Sequence, residues 1–183
     1  LCVLKREWCM SVDITESDEF EIRYTHSMDL QALTVLLDQQ RAWFPISTDR
    51  EREFFARNWI YMGKSKASLT LVYQGHIVGF VALFLMPYKK TKHLCQAYVV
   101  VDKAYRDQGV EARAIKNLDY LAKTGCNLKK LFFKEFDGCY LIPFLQEAGY
   151  HLIYKQTDYV EIEPGHYADR GVYEKAFSGE VQV

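Results

Sequence analysis

The change of period between His93 and Gly125 constrains the fold of this chain more than any other feature. Ala97-Tyr98-Val99-Val100-Val101 is apolar and rich in β-branched residues, the pattern of a strand buried on both faces. A polar link from Asp102 to Gln108 follows and ends at Gly109. Beyond it Val110, Ala114, Leu118, Leu121 and Ala122 recur at helical spacing, with Glu111, Arg113, Lys116, Asp119 and Lys123 between them. Gly125 stands where a helix C-cap takes positive φ. This predicts a strand over 97–101, a short turn, and an amphipathic helix over about 109–123. The first turn of a helix leaves backbone N–H groups unpaired at the positive end of its dipole. A glycine there lets an anion approach the backbone, so phosphate is the ligand class such a turn suits. Many strand–turn–helix units bind nothing.

The rest of the chain fits around this unit. Phe20–Tyr24 alternates as a half-buried strand. Leu30, Leu33, Leu36 and Leu37 share one face of a helix capped by Ser27 or Asp29, and a second helix opens at Ser47 or Thr48 and stops at Gly63. Leu69–Tyr73, Gln74-Gly75 and His76–Leu85 read as a hairpin with a tight turn. Leu128–Phe133 reads as a strand. A short helix follows, capped by Asp137 and interrupted by Pro143, so that it is kinked or begins near that proline. Tyr150–Tyr154 and Asp158–Ile162 read as the last strands, and Pro164-Gly165 as a boundary. The fold class is therefore a single α/β domain, a mixed central sheet with flanking helices, over 19–163. Residues 1–18 read as an N-terminal extension and 164–183 as a C-terminal tail.

Composition excludes some classes. A net charge of −1 gives no field that favours nucleic acid or an anionic membrane. The longest uncharged run, Ile77–Tyr88, is too short to span a bilayer. Five cysteines without a C-x-x-C pair suggest reduced packing residues in a cytoplasmic protein, with no disulfide framework and no metal site.

The segment from Val99 to Gly109 resembles the acyl-CoA-binding segment of the GNAT acyltransferase superfamily. There a buried strand leads to R/Q-x-x-G-x-G/A at the start of a helix. Arg106 and Gly109 match, and Glu111 stands where the family has glycine or alanine. The resemblance extends to the order of elements over about residues 20–163. It implies a GNAT-like fold that takes acetyl-CoA as acyl donor and transfers the acetyl group to an amine of a small molecule or peptide. The implied cofactor contacts are Val99, Val100 and Val101 on the strand, and Arg106, Asp107, Gln108, Gly109, Val110 and Glu111 in the loop. The family's glutamate position falls on Cys95 and its tyrosine position on Leu145. His93 and Tyr140 are therefore the candidate catalytic residues, His93 as an imidazole near the strand start and Tyr140 as the nearby hydroxyl in the helix region that follows Leu128–Phe133. Trp43, Phe44, Phe55 and Trp59 are candidates to line an apolar acceptor slot. A carboxylate at 111 about 5 Å from a pyrophosphate costs about 3 kcal/mol per charge pair at an effective dielectric of about 20, unless it points outward. The alternative is an inactive relative serving as an acyl-CoA-binding or protein-interaction module; a homodimer is left open.

Overall fold

The computed structural model describes residues 13–177 of the chain. Its seven-stranded sheet runs β1 (Phe20–Tyr24), β2 (Ser68–Tyr73), β3 (His76–Leu85), β4 (Leu94–Val101), β5 (Lys130–Phe136), β7 (His166–Ala176), β6 (His151–Glu163). Every neighbouring pair is antiparallel except β4 and β5. Helices α1 (Leu30–Gln39) and α2 (Asp49–Lys64) cover one face, and α3 (Val110–Tyr120) and α4 (Ile142–Glu147) the other.

Alternation along β4 divides the core. Cys95, Ala97, Val99 and Val101 pack with Ala114, Leu118 and Leu131 on the α3 face. Val100 and Phe80 pack with Leu33, Leu37 and Trp59 on the α1–α2 face. A strand with helices on both sides must be apolar on both, which is why its sequence is a continuous hydrophobic run. Phe55 and Trp59 belong to this packing: Phe55 stacks on Phe84, and the indole N–H of Trp59 donates to Ser68 Oγ at 3.0 Å.

Local signals decide the boundaries. Thr48 and Glu51 form a capping box, with Glu51 Oε2 accepting the Thr48 N–H at 2.9 Å and Thr48 Oγ1 accepting the Glu51 N–H at 3.2 Å. α4 begins beside Pro143, where a missing N–H costs nothing. The end of the sheet differs from the sequence reading. The runs at 150–154 and 158–162 are one strand, β6, whose pairing with β7 is irregular between Gln156 and Val160, where Asp158 has φ 50°. Pro164-Gly165 is the turn of a hairpin, with Gly165 at φ 79°, and most of the segment set aside as a tail is β7, inserted between β5 and β6. In the N-terminal extension, Asp13 caps a turn over Ile14–Glu16, and residues 1–12 lie outside the described residues. Cys95, Cys126 and Cys139 are free thiols. Among the described residues no helix is long and apolar enough to cross a membrane.

Candidate active site at the parted strands

β4 and β5 pair only at Leu94↔Lys130, Cys95↔Leu131 and Gln96↔Phe132. Beyond Gln96 the strands separate, because β5 continues against β7 while β4 continues against β3. In an antiparallel ladder alternate residues turn their N–H and C=O away from the partner strand. Val101 turns both away from β3: its N–H donates to Tyr140 Oη at 3.2 Å, and its C=O accepts from Gln40 Nε2 at 2.7 Å. By the same alternation Val99 presents its N–H and C=O, and Ala97 its C=O, to the gap between β4 and β5, while the Ala97 N–H belongs to the last rung with Phe132. The gap is therefore lined by strand amides that have no strand to pair with.

The link from β4 to α3 closes one end of this gap. Asp107 takes φ 59° and Gly109, the N-cap of α3, takes φ 84°. A Cβ at Gly109 would lie 2.2 Å from Asp13 Oδ1, so only glycine fits. The Ile14 N–H donates to the Gln108 carbonyl at 3.1 Å, so the turn at 14–16 braces the loop. Arg106 lays its guanidinium over the Tyr140 ring at 3.6 Å, and its Nε and Nη2 are buried without a partner among the described residues. Glu111 is fully buried rather than turned outward. Its Oε1 lies 3.4 Å from the Asp107 nitrogen, its Oε2 has no partner among the described residues, and burial pushes its carboxyl above the usual carboxylate range. The carboxylate thus sits at the same loop amides that an anion would use.

On the α1–α2 side the gap opens into a cavity of about 170 Å³ lined by Gln96, Tyr98, Lys134, Glu135, Tyr159 and Arg170. It shares Trp43, Phe44, Pro45 and Phe136 with a larger chamber of about 650 Å³. Trp43 and Phe44, named from the sequence, line both cavities, whereas Phe55 and Trp59 do not. Glu135 follows Leu131 and Phe133 on the α3 side of β5, opposite Lys134, and borders this cavity where the strands part; its carboxyl is pushed up to about 7 by burial. Among the described residues it accepts only the Cys139 thiol, at 3.2 Å. Burial pushes the Tyr98 hydroxyl up to about 12 and holds the Cys139 thiol and Tyr140 hydroxyl well above their ordinary ranges.

The structure brings Val99, Val101, Arg106 and Tyr140 together with the loop through Glu111. It does not bring His93 to them. His93 is exposed just before β4, with its carbonyl accepting from the Lys129 and Lys130 N–H groups. It lies roughly 20 Å along the strand from Val99. The sequence reading missed Glu135 and Gln40. An acid on the alternation of Leu131 and Phe133 is a signal for the first. Nothing local marks Gln40, whose Oε1 accepts from Tyr140 Oη at 2.7 Å.

The family model described as Acetyltransferase (GNAT) family matches residues 33–150. Solved structures share the fold at low identity. An acetyltransferase of the GNAT family from Streptococcus pneumoniae is 18% identical with a TM-score of 0.72, over 87% of this chain and 100% of that one. An N-acetyltransferase from Staphylococcus aureus Mu50 is 17% identical with a TM-score of 0.71, over 86% and 98%. A Salmonella typhimurium protein solved with its cofactor acetyl-CoA is 13% identical with a TM-score of 0.72, over 90% and 97%. No curated protein matches the chain by sequence.

Proposed function

The chain belongs to the acetyltransferase (GNAT) family, and from that premise we propose that it transfers the acetyl group of acetyl-CoA to an amine held on the α1–α2 side of the parted strands. The observation that carries this reading is the end of the β4–β5 ladder at Gln96↔Phe132, which leaves the amides after it facing a gap. Acetyl-CoA suits the residues there. The gap offers strand amides to an amide-bearing arm, and beside it Arg106 has buried N–H groups without partners among the described residues. The loop from Asp107 to Val110 offers helix-start amides to phosphate, against the competing carboxylate of Glu111.

When bound, acetyl-CoA supplies an acyl carbon activated as a thioester. The chain's own groups have three tasks. The Val99 N–H, facing the gap, would donate to the acyl oxygen as negative charge develops there, and such a fixed donor is worth about 10²–10³ in rate. Glu135 accepts the proton that an ammonium loses before it can attack. Its pKa of about 7 suits a base at neutral pH, and it lines the cavity from which the amine comes. Tyr140 holds the Val101 N–H and Gln40, which fixes the end of β4, rather than serving as a dedicated acid. In this reading Glu135 replaces His93 as the base.

The test is release of CoA thiol from acetyl-CoA in the presence of a panel of primary amines, with the acetylated amine identified by mass spectrometry. Equal amounts of thiol and N-acetyl product are expected. Thiol release with no acetylated amine would overturn the reading.

A further inference from the structure

The cations of the β5–β7–β6 region are mostly neutralised. Lys130 pairs with Glu174 at 2.7 Å, Lys155 with Asp137 and Asp169 at 2.7 and 2.9 Å, and Lys175 with Asp119 at 2.5 Å. Lys134 and Arg170 are exceptions. Among the described residues neither forms an ion pair. The register Lys134↔Val172 and Phe136↔Arg170 makes them diagonal neighbours on one face of the sheet, where such positions lie about 7–8 Å apart. Both are half-buried, and both line the small cavity beside the parted strands.

Their surroundings do not cancel the charge. Arg170 stacks on the Tyr159 ring at 3.4 Å and donates to Gln156 Oε1, a neutral acceptor. Glu135 gives its carboxyl to Cys139. Burial and the Arg170 guanidinium push the Lys134 ammonium below the usual lysine range, so the two cations weaken one another. Like charges about 7–8 Å apart repel, and an oxyanion between them would relieve that. An Arg fork beside a Lys ammonium suits carboxylate or phosphate. The adjoining chamber has an apolar wall of Trp43, Phe44, Ile46 and Phe136 that suits an apolar group of drug-like size, and its acids Asp137, Glu161 and Glu163 disfavour an oxyanion there.

We propose that Lys134 and Arg170 form an oxyanion subsite, so that the acceptor is a small amine carrying an oxyanion and an apolar side chain, an amino acid with a bulky apolar side chain being the form both cavities suit. The inference rests on the acetyltransferase reading above and names the acceptor class of that same site. The oxyanion holds the amine beside Glu135 while the side chain lies between Phe44 and Phe136.

The experiment compares kcat/KM for matched acceptors: phenylalanine against phenethylamine, tryptophan against tryptamine, and an aminoalkyl phosphate as a third arm. The oxyanion-bearing member of each pair is expected to be preferred at least tenfold, and the third arm shows which oxyanion is held. Lys134→Met should cut that ratio at least tenfold and Lys134→Arg should restore most of it, in proteins whose melting temperature matches the wild type. Equal or better turnover of phenethylamine and tryptamine would overturn this inference and leave the acetyltransferase reading standing. Binding of acetyl-CoA with no turnover of any arm would overturn both.

Discussion

Replacing Glu111 with glutamine tests how the loop before α3 is charged. Its Oε1 lies 3.4 Å from the Asp107 nitrogen, and phosphate oxygens using the same amides bring two negative charges within about 5 Å of each other. At an effective dielectric of about 20 this costs about 3 kcal/mol, or about two orders of magnitude in affinity. Glutamine keeps the shape and the acceptor oxygen without the charge. Calorimetric titration should therefore show acetyl-CoA binding Glu111→Gln about a hundredfold more tightly than wild type at neutral pH, with Glu111→Gly changing in the same direction. The pH dependence follows from the raised pKa of the Glu111 carboxyl. Between the ordinary carboxylate range and that raised value, the folded protein holds a proton that the unfolded chain has released. Wild-type stability therefore falls as pH rises through this window, and Glu111→Gln removes that fall. Wild-type affinity for acetyl-CoA should likewise rise as pH is lowered through the same window, with a flatter profile in the variant. An affinity within twofold of wild type in both variants would show that the carboxylate leaves the loop without cost when phosphate binds, and would refute the argument.

Other perturbations separate the parts of the site. Gly109→Ala places a Cβ 2.2 Å from Asp13 Oδ1 at φ 84°, and thermal denaturation should show a loss of about 1–3 kcal/mol together with weaker acetyl-CoA binding. Glu135→Gln should slow turnover by about 10²–10⁴ while calorimetry shows acetyl-CoA still bound. Because burial raises the Glu135 carboxyl to about 7, wild type loses about 3 kcal/mol as pH rises from the ordinary carboxylate range through 7, and the glutamine variant should not, as denaturant midpoints would show. Tyr140→Phe strands Gln40 Oε1 and the Val101 N–H, so denaturant unfolding should register about 1–3 kcal/mol, with initial rates falling less than about a hundredfold.

These groups were unequally legible. The change of period at Gly109 located β4, the loop and α3, because burial on both faces and an amphipathic helix leave different patterns. Gln74-Gly75, at φ 50° and 76°, marked its hairpin, and Pro143 marked the start of α4. β7 was hidden. Its residues from His166 to Lys175 are largely polar because one face carries Arg170 toward a cavity and Glu174 toward Lys130, so no alternation of apolar residues announces a strand. β6 resembled two strands because it kinks near Asp158. The parting of β4 from β5 is a property of pairing, and neither strand encodes it alone. Gln40 and Tyr140 meet across 100 residues, a contact that no local pattern reveals. Glu135 was readable as an acid in a buried alternation, and its use depends on a cavity that only the fold creates.

The central claim is that the amides of the parted strands and the loop before α3 receive acetyl-CoA. Backbone hydrogen exchange with and without acetyl-CoA tests it residue by residue. The account expects added protection at Val99 and the loop from Asp107 to Val110, with His93 and the β6–β7 turn unchanged. Protection confined to other segments, or none at saturating acetyl-CoA, would contradict it.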